Sequence, residues 1–244
     1  EIYQCDWSSD VCSSDLNKYV IEGPKVLAEF LQEAPHHIQE IYCIKTWFNN
    51  NRHLRSAISQ DIIFVIEDHE LARISSLSTP NQVLAVTTKN ASKEVSPAGK
   101  LSLMLDNIQD PGNLGTIIRI ADWFGIKTIF CSEDCVDMYN PKVIQSTIGS
   151  ILRVNTVYAD LEQVCRAHAK IRVYGATLNG QSLFTVPPPV TGILLIGNES
   201  KGIRQQLLPF CTSRITIPRL GNAESLNAAV ATGIILSHFT QQPG

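Results

Sequence analysis

The chain has 244 residues, of which 44% are hydrophobic and 18% charged, and its formal net charge is −3. This composition is ordinary for one or two globular domains and excludes a disordered or fibrous protein. The longest apolar runs, such as 193–196 and 234–236, fall far short of the roughly 20 residues that span a bilayer, so we expect no membrane role. The near-neutral charge argues against a large nonspecific nucleic-acid footprint but permits a local basic patch.

Residues 1–16 differ from the rest of the chain. They show no periodicity and lack the basic stretch of a secretory signal, and they resemble translated sequencing-adaptor sequence. We therefore expect a non-native leader. Apart from that leader, the cysteines are scattered without paired spacing, which fits the reduced thiols of a cytoplasmic protein. Cys131 and Cys135 could form half of a metal site, but no second ligand pair accompanies them, and we predict no metal.

The first half predicts a small α/β unit at 17–89. Its predicted strands are 19–22, 38–44, 62–66 and 83–88, and its predicted helices are 25–33 and 68–76. Residues 90–100 are polar and rich in turn-forming residues, so we interpret them as an interdomain linker.

Regular alternation begins at Leu101 and predicts a second α/β domain over 101–244. Its predicted strands are 101–105, 127–131, 153–158, 172–177, 193–197 and 214–217, most of them separated by helical segments. Such alternation favours a mostly parallel sheet covered by helices, with ligand-binding loops at the carboxyl ends of the strands.

Three turn-rich phrases lie beside apolar runs of this second domain. They are Asp110-Pro-Gly-Asn-Leu-Gly-Thr-Ile-Ile-Arg119, Leu195-Ile-Gly-Asn-Glu-Ser-Lys-Gly202 and Ile217-Pro-Arg-Leu-Gly-Asn-Ala-Glu-Ser-Leu-Asn227, here called motifs 1, 2 and 3. The Rossmann phosphate loop is excluded, because motif 1 has its two glycines in the wrong spacing. The six histidines match no signature of a nucleophilic Ser or Cys enzyme.

Motif 1 predicts a helix with Asn113 as its cap. The apolar stripe of that helix leaves Arg119 on another face, where its guanidinium suits a phosphate or ribose oxygen. The alternative is a surface arginine that pairs with Asp122 at i+3.

In motif 2, Gly197 and Gly202 permit close backbone approach to a ligand, and we predict a helical stretch that begins near Ile203. A plain glycine-rich turn is the alternative. In motif 3, Ser225 is a plausible N-cap of an Ala-rich helix that runs through Phe239.

The order and content of the three motifs resemble those of the SpoU/TrmH branch of the SPOUT methyltransferases. The resemblance covers roughly residues 17–240. It implies a catalytic α/β domain with a trefoil knot, preceded by a small L30e-like substrate-binding domain. It also implies transfer of a methyl group from S-adenosylmethionine to a ribose 2′-hydroxyl of RNA, with rRNA favoured over tRNA. A cytoplasmic homodimer, formed through the C-terminal domain, is expected as well.

The resemblance also carries the site residues. It implies that Arg119 helps to deprotonate or align the ribose hydroxyl, and an arginine is a poor literal base because its pKa exceeds about 12. The other residues implied near the reacting ribose are Asn113, Glu199, Ser225 and Asn227. The residues implied at the cofactor are Thr177, Gly197, Asn198, Gly202, Ile217, Gly221 and Leu226.

Some features depart from the family pattern or leave alternatives open. Arg219 stands where the family commonly has methionine, and Asn227-Ala-Ala-Val replaces the more usual Asn-Val-Ser-Val, which puts the RNA contacts in doubt. A noncatalytic RNA-binding or ribosome-assembly protein with the same fold is the leading alternative, and base methylation is another. Candidate RNA-binding residues in the first half are Lys18, Lys25, Arg52 and Arg55, for which a solvated basic face is the alternative.

Overall fold

The computed structural model describes residues 17–55, 58–89 and 95–241. The predicted leader at 1–16 and positions 90–94 of the predicted linker lie outside these ranges. The chain divides into two compact units. The first contains the described residues up to 89 together with Tyr139–Leu152, and the second contains 95–138 and 153–241. Tyr139–Leu152 thus groups with the first unit although it follows the predicted linker in sequence.

The described residues form ten strands and eight α-helices. The strands are β1 Lys18–Glu22, β2 Ile38–Ile44, β3 Ile63–Ile66, β4 Val83–Thr88, β5 Leu101–Leu105, β6 Thr128–Cys131, β7 Asn155–Tyr158, β8 Val173–Ser182, β9 Gly192–Ile196 and β10 Ser213–Thr216. The helices are α1 Pro24–Glu33, α2 Lys45–Asn50, α3 Arg52–Arg55, α4 Asp68–Ile74, α5 Pro111–Trp123, α6 Pro141–Thr147, α7 Leu161–Ala167 and α8 Ala228–Phe239. No helix in these ranges is long and apolar enough to cross a bilayer.

The first unit is built on a four-stranded sheet of order β1-β4-β2-β3. β4 runs antiparallel to both β1 and β2, whereas β3 runs parallel to β2. Helix α1 begins at Pro24, whose fixed φ suits the first helical turn, and packs against β1 and β4. Its buried face carries Val26, Leu27, Phe30 and Leu31, at the spacing of one side of a helix.

The second unit is a six-stranded sheet of order β10-β8-β9-β5-β6-β7. Every strand pair is parallel, which confirms the parallel sheet expected from the alternation. The central strands β5 and β9 are almost wholly buried, as near-continuous apolar runs in parallel sheets are. The carboxyl ends of β9, β5 and β6 therefore deliver neighbouring loops to one edge of the sheet.

Helices α5 and α8 of the second unit pack against each other. Asp110 caps α5, with its carboxylate accepting from the Asn113 N–H at 2.7 Å, and Pro111 occupies the first turn. Gly125, with φ +73°, lies just beyond the end of α5 and adopts the left-handed conformation that favours glycine. Asn227 caps α8, since its Oδ1 accepts from the N–H groups of Ala229 and Val230.

Two sequence predictions about the elements were wrong. No α-helix begins near Ile203; the chain forms turns there, followed by a short 3₁₀ segment at Leu208–Phe210. The reason is that the Arg204 N–H donates to the side chain of Asp106 at 2.7 Å instead of to a preceding carbonyl. Strand β8 extends to Ser182, beyond the predicted end at Thr177, because its second half pairs with β10.

Candidate functional site

A chain of hydrogen bonds joins the three motifs at one place in the second unit. The side-chain amide of Asn227, from motif 3, donates to Asn113 Oδ1 of motif 1 at 2.7 Å. The Asn113 amide in turn donates to Glu199 Oε1 of motif 2 at 2.5 Å. These residues are 86 and 114 positions apart in sequence, so only the fold brings them together. Three of the five predicted catalytic residues thus form one polar cluster, here called the amide–carboxylate cluster.

Asn113 does not cap its helix, contrary to the sequence prediction. Asp110 is the cap, and Asn113 lies in the first turn with its side chain half-buried. Because Asp110 takes the capping role, the side chain of Asn113 is available for its two partners across the site. Asn113 therefore contacts the other two residues of the cluster, but it is not the helix cap that the sequence predicted.

Arg119 is exposed on α5, off the apolar stripe that buries Leu114, Ile117 and Ile118. The alternative pairing with Asp122 is wrong, because Asp122 binds the Arg153 guanidinium at 2.7 Å. Within the described ranges, Arg119 makes no ion pair or hydrogen bond, so all its donors face solvent. The structure does not bring Arg119 into the hydrogen-bonded cluster itself.

The motif 2 loop is held in a tight shape by its own backbone. A Cβ on Gly197 would lie 2.3 Å from the carbonyl carbon of Gly202, a distance that no side chain tolerates. The backbones of Asn198 and Gly202 exchange hydrogen bonds across the loop, at 2.9 and 3.2 Å. Gly202 itself has φ +69°, which favours glycine. The two glycines are therefore required by the loop's own geometry.

Asn198 fastens this loop to the neighbouring one. Its Oδ1 accepts from the N–H groups of Ser200 and Lys201, at 2.9 and 3.1 Å. Its Nδ2 donates to the carbonyl of Asn107, the second residue after β5, at 2.9 Å. In this structure the side chain of the predicted cofactor residue Asn198 therefore acts on loop shape.

Motif 3 supplies one member of the cluster and an exposed loop. Ser225 was predicted as the cap of the last helix, which is wrong, because Asn227 takes that position. The Oδ1 of Asn227 accepts from the first N–H groups of α8, while its Nδ2 donates to Asn113. Ser225 stays exposed and apart from the cluster. Of the predicted cofactor residues in this loop, Ile217 is half-buried, whereas Gly221 and Leu226 are exposed.

Thr177, the remaining predicted cofactor residue, lies within β8. It is half-buried, and its hydroxyl donates to the carbonyl of Asn179 at 3.2 Å. Thr177 is not among the residues that are hydrogen-bonded into the amide–carboxylate cluster. In the first unit, the candidate RNA-binding residues Lys25 and Arg52 are exposed and Lys18 is half-buried, while the side chain of Arg55 lies outside the described residues.

Sequence reasoning missed three polar residues under the motif 2 loop. Asp106 is fully buried directly after β5, and Asn107 adopts a left-handed φ of +60°. Arg204 donates through Nε to Asp106. A charged residue placed immediately after a buried strand was the available signal.

Two cysteines lie beneath the same edge of the sheet. The Cys135 thiol accepts from the Ile108 N–H at 3.2 Å, and the hydrogen bond from Cys131 lowers the pKa of Cys135 to about 7. The same interaction, with burial, raises the pKa of Cys131. Within the described part of the chain, no group of three or more His, Cys, Asp or Glu side chains is placed to hold a metal ion.

Comparison with known proteins agrees with this arrangement. The SpoU rRNA Methylase family model matches residues 100–237. The chain is 31% identical to RlmP of Bacillus subtilis (strain 168), a 23S rRNA (guanosine(2553)-2′-O)-methyltransferase, over 91% of this chain and 88% of the relative.

Solved structures agree as well. A TrmH-family protein from Porphyromonas gingivalis is 31% identical and superposes with a TM-score of 0.83, over 97% of this chain and 94% of that one. An AdoMet-bound rRNA methyltransferase from Sinorhizobium meliloti, at 24% identity, shares the fold with a TM-score of 0.82, over 96% of this chain and 90% of that one. Sequence motifs, site geometry and both comparisons agree, and the chain belongs to the SpoU rRNA methylase family.

Proposed function

We propose that this protein transfers a methyl group from S-adenosylmethionine to a ribose 2′-hydroxyl of ribosomal RNA. The observation that carries the proposal is the amide–carboxylate cluster, in which Asn113, Glu199 and Asn227 bring motifs 1, 2 and 3 to one point. The similarity to RlmP, along nearly the whole chain, favours rRNA as the substrate class.

The motif 2 loop fits a cofactor of this kind. The backbone closes tightly at Gly197, where a Cβ would lie 2.3 Å from the Gly202 carbonyl carbon, and glycine at such a position permits close approach of the backbone to a ligand. Gly197, Asn198 and Gly202 would hold the cofactor together with Thr177, Ile217, Gly221 and Leu226. When bound, S-adenosylmethionine supplies an electrophilic methyl group on its sulfonium.

The cluster orients the groups that would meet the ribose. Asn113 uses its Oδ1 and one amide proton on Asn227 and Glu199, so its plane is fixed. Glu199 Oε2 remains available as an acceptor for the ribose hydroxyl, and Asn227 keeps a second amide proton as a donor. Alignment of the hydroxyl and acceptance of its proton are the main demands of transfer to an alcohol.

Arg119 would act on the RNA from outside the cluster. Arg119 is exposed, and its guanidinium makes no hydrogen bond or ion pair with any other described residue, so its five donors are available for a phosphate. We propose that it binds the phosphate next to the target ribose and so aligns the hydroxyl; the second role, direct proton abstraction, requires a neutral guanidine, which is rare. Ser225, which is exposed at the end of motif 3, would contact the same nucleotide.

We also propose that the second unit carries the trefoil knot of its family and that the first is an L30e-like RNA-binding domain. The match to the SpoU family model over 100–237 supports the knot, because the resemblance to that family is what implies it. Mechanical unfolding from both ends tests it, because a knotted chain extends by less than its contour length. Lys18, Lys25, Arg52 and Arg55 are the proposed RNA contacts of the first unit.

We propose a homodimer because α5 and α8 each carry an exposed apolar side chain. Trp123 is 84% exposed and Val230 50%, and both helices pack side by side. Apolar side chains this exposed, on two adjacent helices, favour burial against a second copy. We propose that the dimer works in the cytoplasm, where its RNA substrate and its free thiols are both expected.

The deciding experiment measures methyl transfer from labelled S-adenosylmethionine to protein-free rRNA and tRNA, with wild type and Arg119→Ala compared. We expect incorporation into rRNA, a 2′-O-methyl detected as a position resistant to alkaline cleavage, and a loss of at least about 100-fold in the variant, on the scale of other lost positioning groups. Absence of both thermal stabilisation by S-adenosylmethionine and transfer to any RNA would contradict the catalytic proposal and favour a noncatalytic RNA-binding protein.

A further inference from the structure

Asp106 and Arg204 form a buried ion pair beneath the motif 2 loop. The Asp106 side chain has no exposed surface, and it accepts from the backbone N–H of Arg204 at 2.7 Å and from its Nε at 2.5 Å. The two residues are 98 positions apart and follow the adjacent strands β5 and β9. A buried carboxylate requires such partners, since an unpaired one is strongly unfavourable. The pair therefore fixes both the backbone and the side chain of Arg204.

Arg204 reaches a third loop through the other side of its guanidinium. Its Nη1 donates to Asp134, in the loop after β6, at 3.3 Å. Burial raises the pKa of Asp134, but a hydrogen bond from Ser132 and the charge of Arg204 outweigh burial and hold that pKa below its ordinary value. Asp134 is thus ionised at neutral pH and attracts the guanidinium. One side chain binds carboxylates from two different loops.

Asn107 closes a ring of contacts around Arg204. Its amide donates to Asp134 at 2.7 Å, and its carbonyl accepts from Asn198 at 2.9 Å. Its backbone N–H donates to the Ser132 hydroxyl at 2.9 Å, which supports its left-handed φ of +60°. The loops after β5, β6 and β9 are therefore cross-linked through a connected set of side chains, with Arg204 as the cation.

We propose that Arg204 is a positioning residue that holds the Gly197–Gly202 turn in its cofactor-binding shape. Arg204 is the second residue after that turn, and both ends of the loop are fixed: Asn198 by Asn107, and Arg204 by Asp106. Arg204 itself does not face the amide–carboxylate cluster, so it acts through the loop and not on the reacting atoms. This inference rests on the proposed function, because it assigns the turn to S-adenosylmethionine.

Lysine cannot replace Arg204 in this role. The guanidinium is a planar fork that donates to Asp106 from Nε and to Asp134 from Nη1, whereas an ammonium is a single point of charge. Arg204→Lys therefore keeps the charge but loses the simultaneous contact with both loops. It separates the geometric role from simple neutralisation of Asp106.

The test compares wild type with Arg204→Lys, Arg204→Ala and a control, Arg166→Ala. Arg166 also pairs with an acid, Glu162 at 3.2 Å, but on the exposed face of α7. For each protein we would measure the Kd of S-adenosylmethionine by calorimetry, the KM of each substrate, and the melting temperature. We expect Kd and KM for S-adenosylmethionine to rise about 10-fold or more in both Arg204 variants, with the KM for RNA unchanged and the control like wild type.

The outcomes separate the two proposals. If wild type binds S-adenosylmethionine and folded Arg204→Lys binds it equally well, with only its melting temperature lowered, Arg204 has a structural role and the inference is overturned. If Arg204→Ala does not fold, Arg204→Lys and Asp134→Asn, which retains the Asp106 pair, decide the matter by the same affinity measurement. If wild type itself binds no S-adenosylmethionine, the proposed function fails and the inference fails with it.

Discussion

Each of the two units buries one carboxylate at the end of a strand, and the two are satisfied in different ways. Glu22 of the first unit is 4% exposed and accepts from the hydroxyls of Ser75 and Ser76 and from the Ser76 N–H, at 2.5 to 2.8 Å. Asp106 of the second unit accepts from a guanidinium and a backbone N–H of Arg204. The first carboxylate is held by neutral donors, the second by a cation.

This difference distinguishes an interaction that only stabilises the fold from one that orders the loops of the candidate site. Ser75 and Ser76 donate to Glu22, and Ser75 also accepts from the nearby Leu77 N–H, so this carboxylate fastens the end of α4 to β1. Arg204 continues to Asp134, and the contacts join the loops after β5, β6 and β9, of which the first leads into motif 1 and the last carries motif 2. The neutral donors around Glu22 stabilise one junction between a helix and a strand. The Asp106–Arg204 pair instead links loops at which we propose that the ligand binds. The predictions below test that distinction.

The largest effect is expected at Gly197 of the second unit, where any side chain would clash with the backbone. Gly197→Ala places a Cβ 2.3 Å from the Gly202 carbonyl carbon, so the motif 2 loop must open. Overpacking typically costs about 1–3 kcal/mol, and we expect affinity for S-adenosylmethionine to fall about 10- to 100-fold. Calorimetric titration measures it. Gly221→Ala is the matched comparison, since a Cβ there meets no atom within 4 Å, and it should lose much less affinity.

A large effect on stability alone is expected at Glu22, the carboxylate that is held by neutral donors. Glu22→Ala removes three hydrogen bonds to a carboxylate from Ser75 and Ser76, which are half-buried and exposed, and because such bonds to a charged group are stronger than neutral ones, we expect a loss of about 1–3 kcal/mol. We expect urea unfolding to show this loss while the folded protein binds S-adenosylmethionine as wild type does. If Glu22→Ala bound S-adenosylmethionine more weakly than wild type at a temperature where the variant is fully folded, the proposed difference between Glu22 and Asp106 would be wrong.

A smaller effect, confined to catalysis, is expected for Asn227→Asp. Aspartate keeps the oxygen that caps α8 but loses the amide that donates to Asn113. We therefore expect a melting temperature within a few degrees of wild type and a methyl-transfer rate about 10-fold lower, the effect of roughly one hydrogen bond to a reacting array. Asn227→Ala serves as the control, because it removes both functions and should lower stability as well as rate.

The parallel sheet could be predicted because its strands leave a local signal, whereas the cluster members were implied by the resemblance of the three motifs to a family pattern. Buried strands such as β5 and β9 are continuous apolar runs, and Asn113, Glu199 and Asn227 lie in glycine-rich or turn-rich phrases. The motifs could not reveal which residue caps each helix, since Asp110 and Asn113, or Ser225 and Asn227, are all good caps by composition. Tertiary partners decided between them.

The supporting residues could not be predicted for a different reason. Asp106 and Arg204 are separated by 98 positions, and nothing near either one indicates its partner. The absence of a helix after Gly202 has the same origin, because Asp106 captures an N–H that a helix would use. Long-range polar contacts of this kind override local propensity, and they emerge only when the strand order is known.

The smallest effect is expected on the exposed side of the first unit, and it depends on pH. Burial and the hydrogen bond to Glu40, at 2.6 Å, raise the pKa of Tyr42 to about 12. A phenol whose pKa is higher in the folded protein stabilises it fully below the unfolded pKa, near 10, and that contribution is lost as the pH rises toward 12. The melting temperature of wild type should therefore fall slightly more between pH 10 and 12 than that of Tyr42→Phe.

Because Tyr42 stacks on Phe64 with ring centroids 5.2 Å apart, the Tyr42→Phe variant keeps its packing. Equal dependence of the two melting temperatures on pH would show that the hydroxyl contributes nothing. Neither protein should differ in cofactor affinity at neutral pH, because this side chain is not linked to the loops that Arg204 joins.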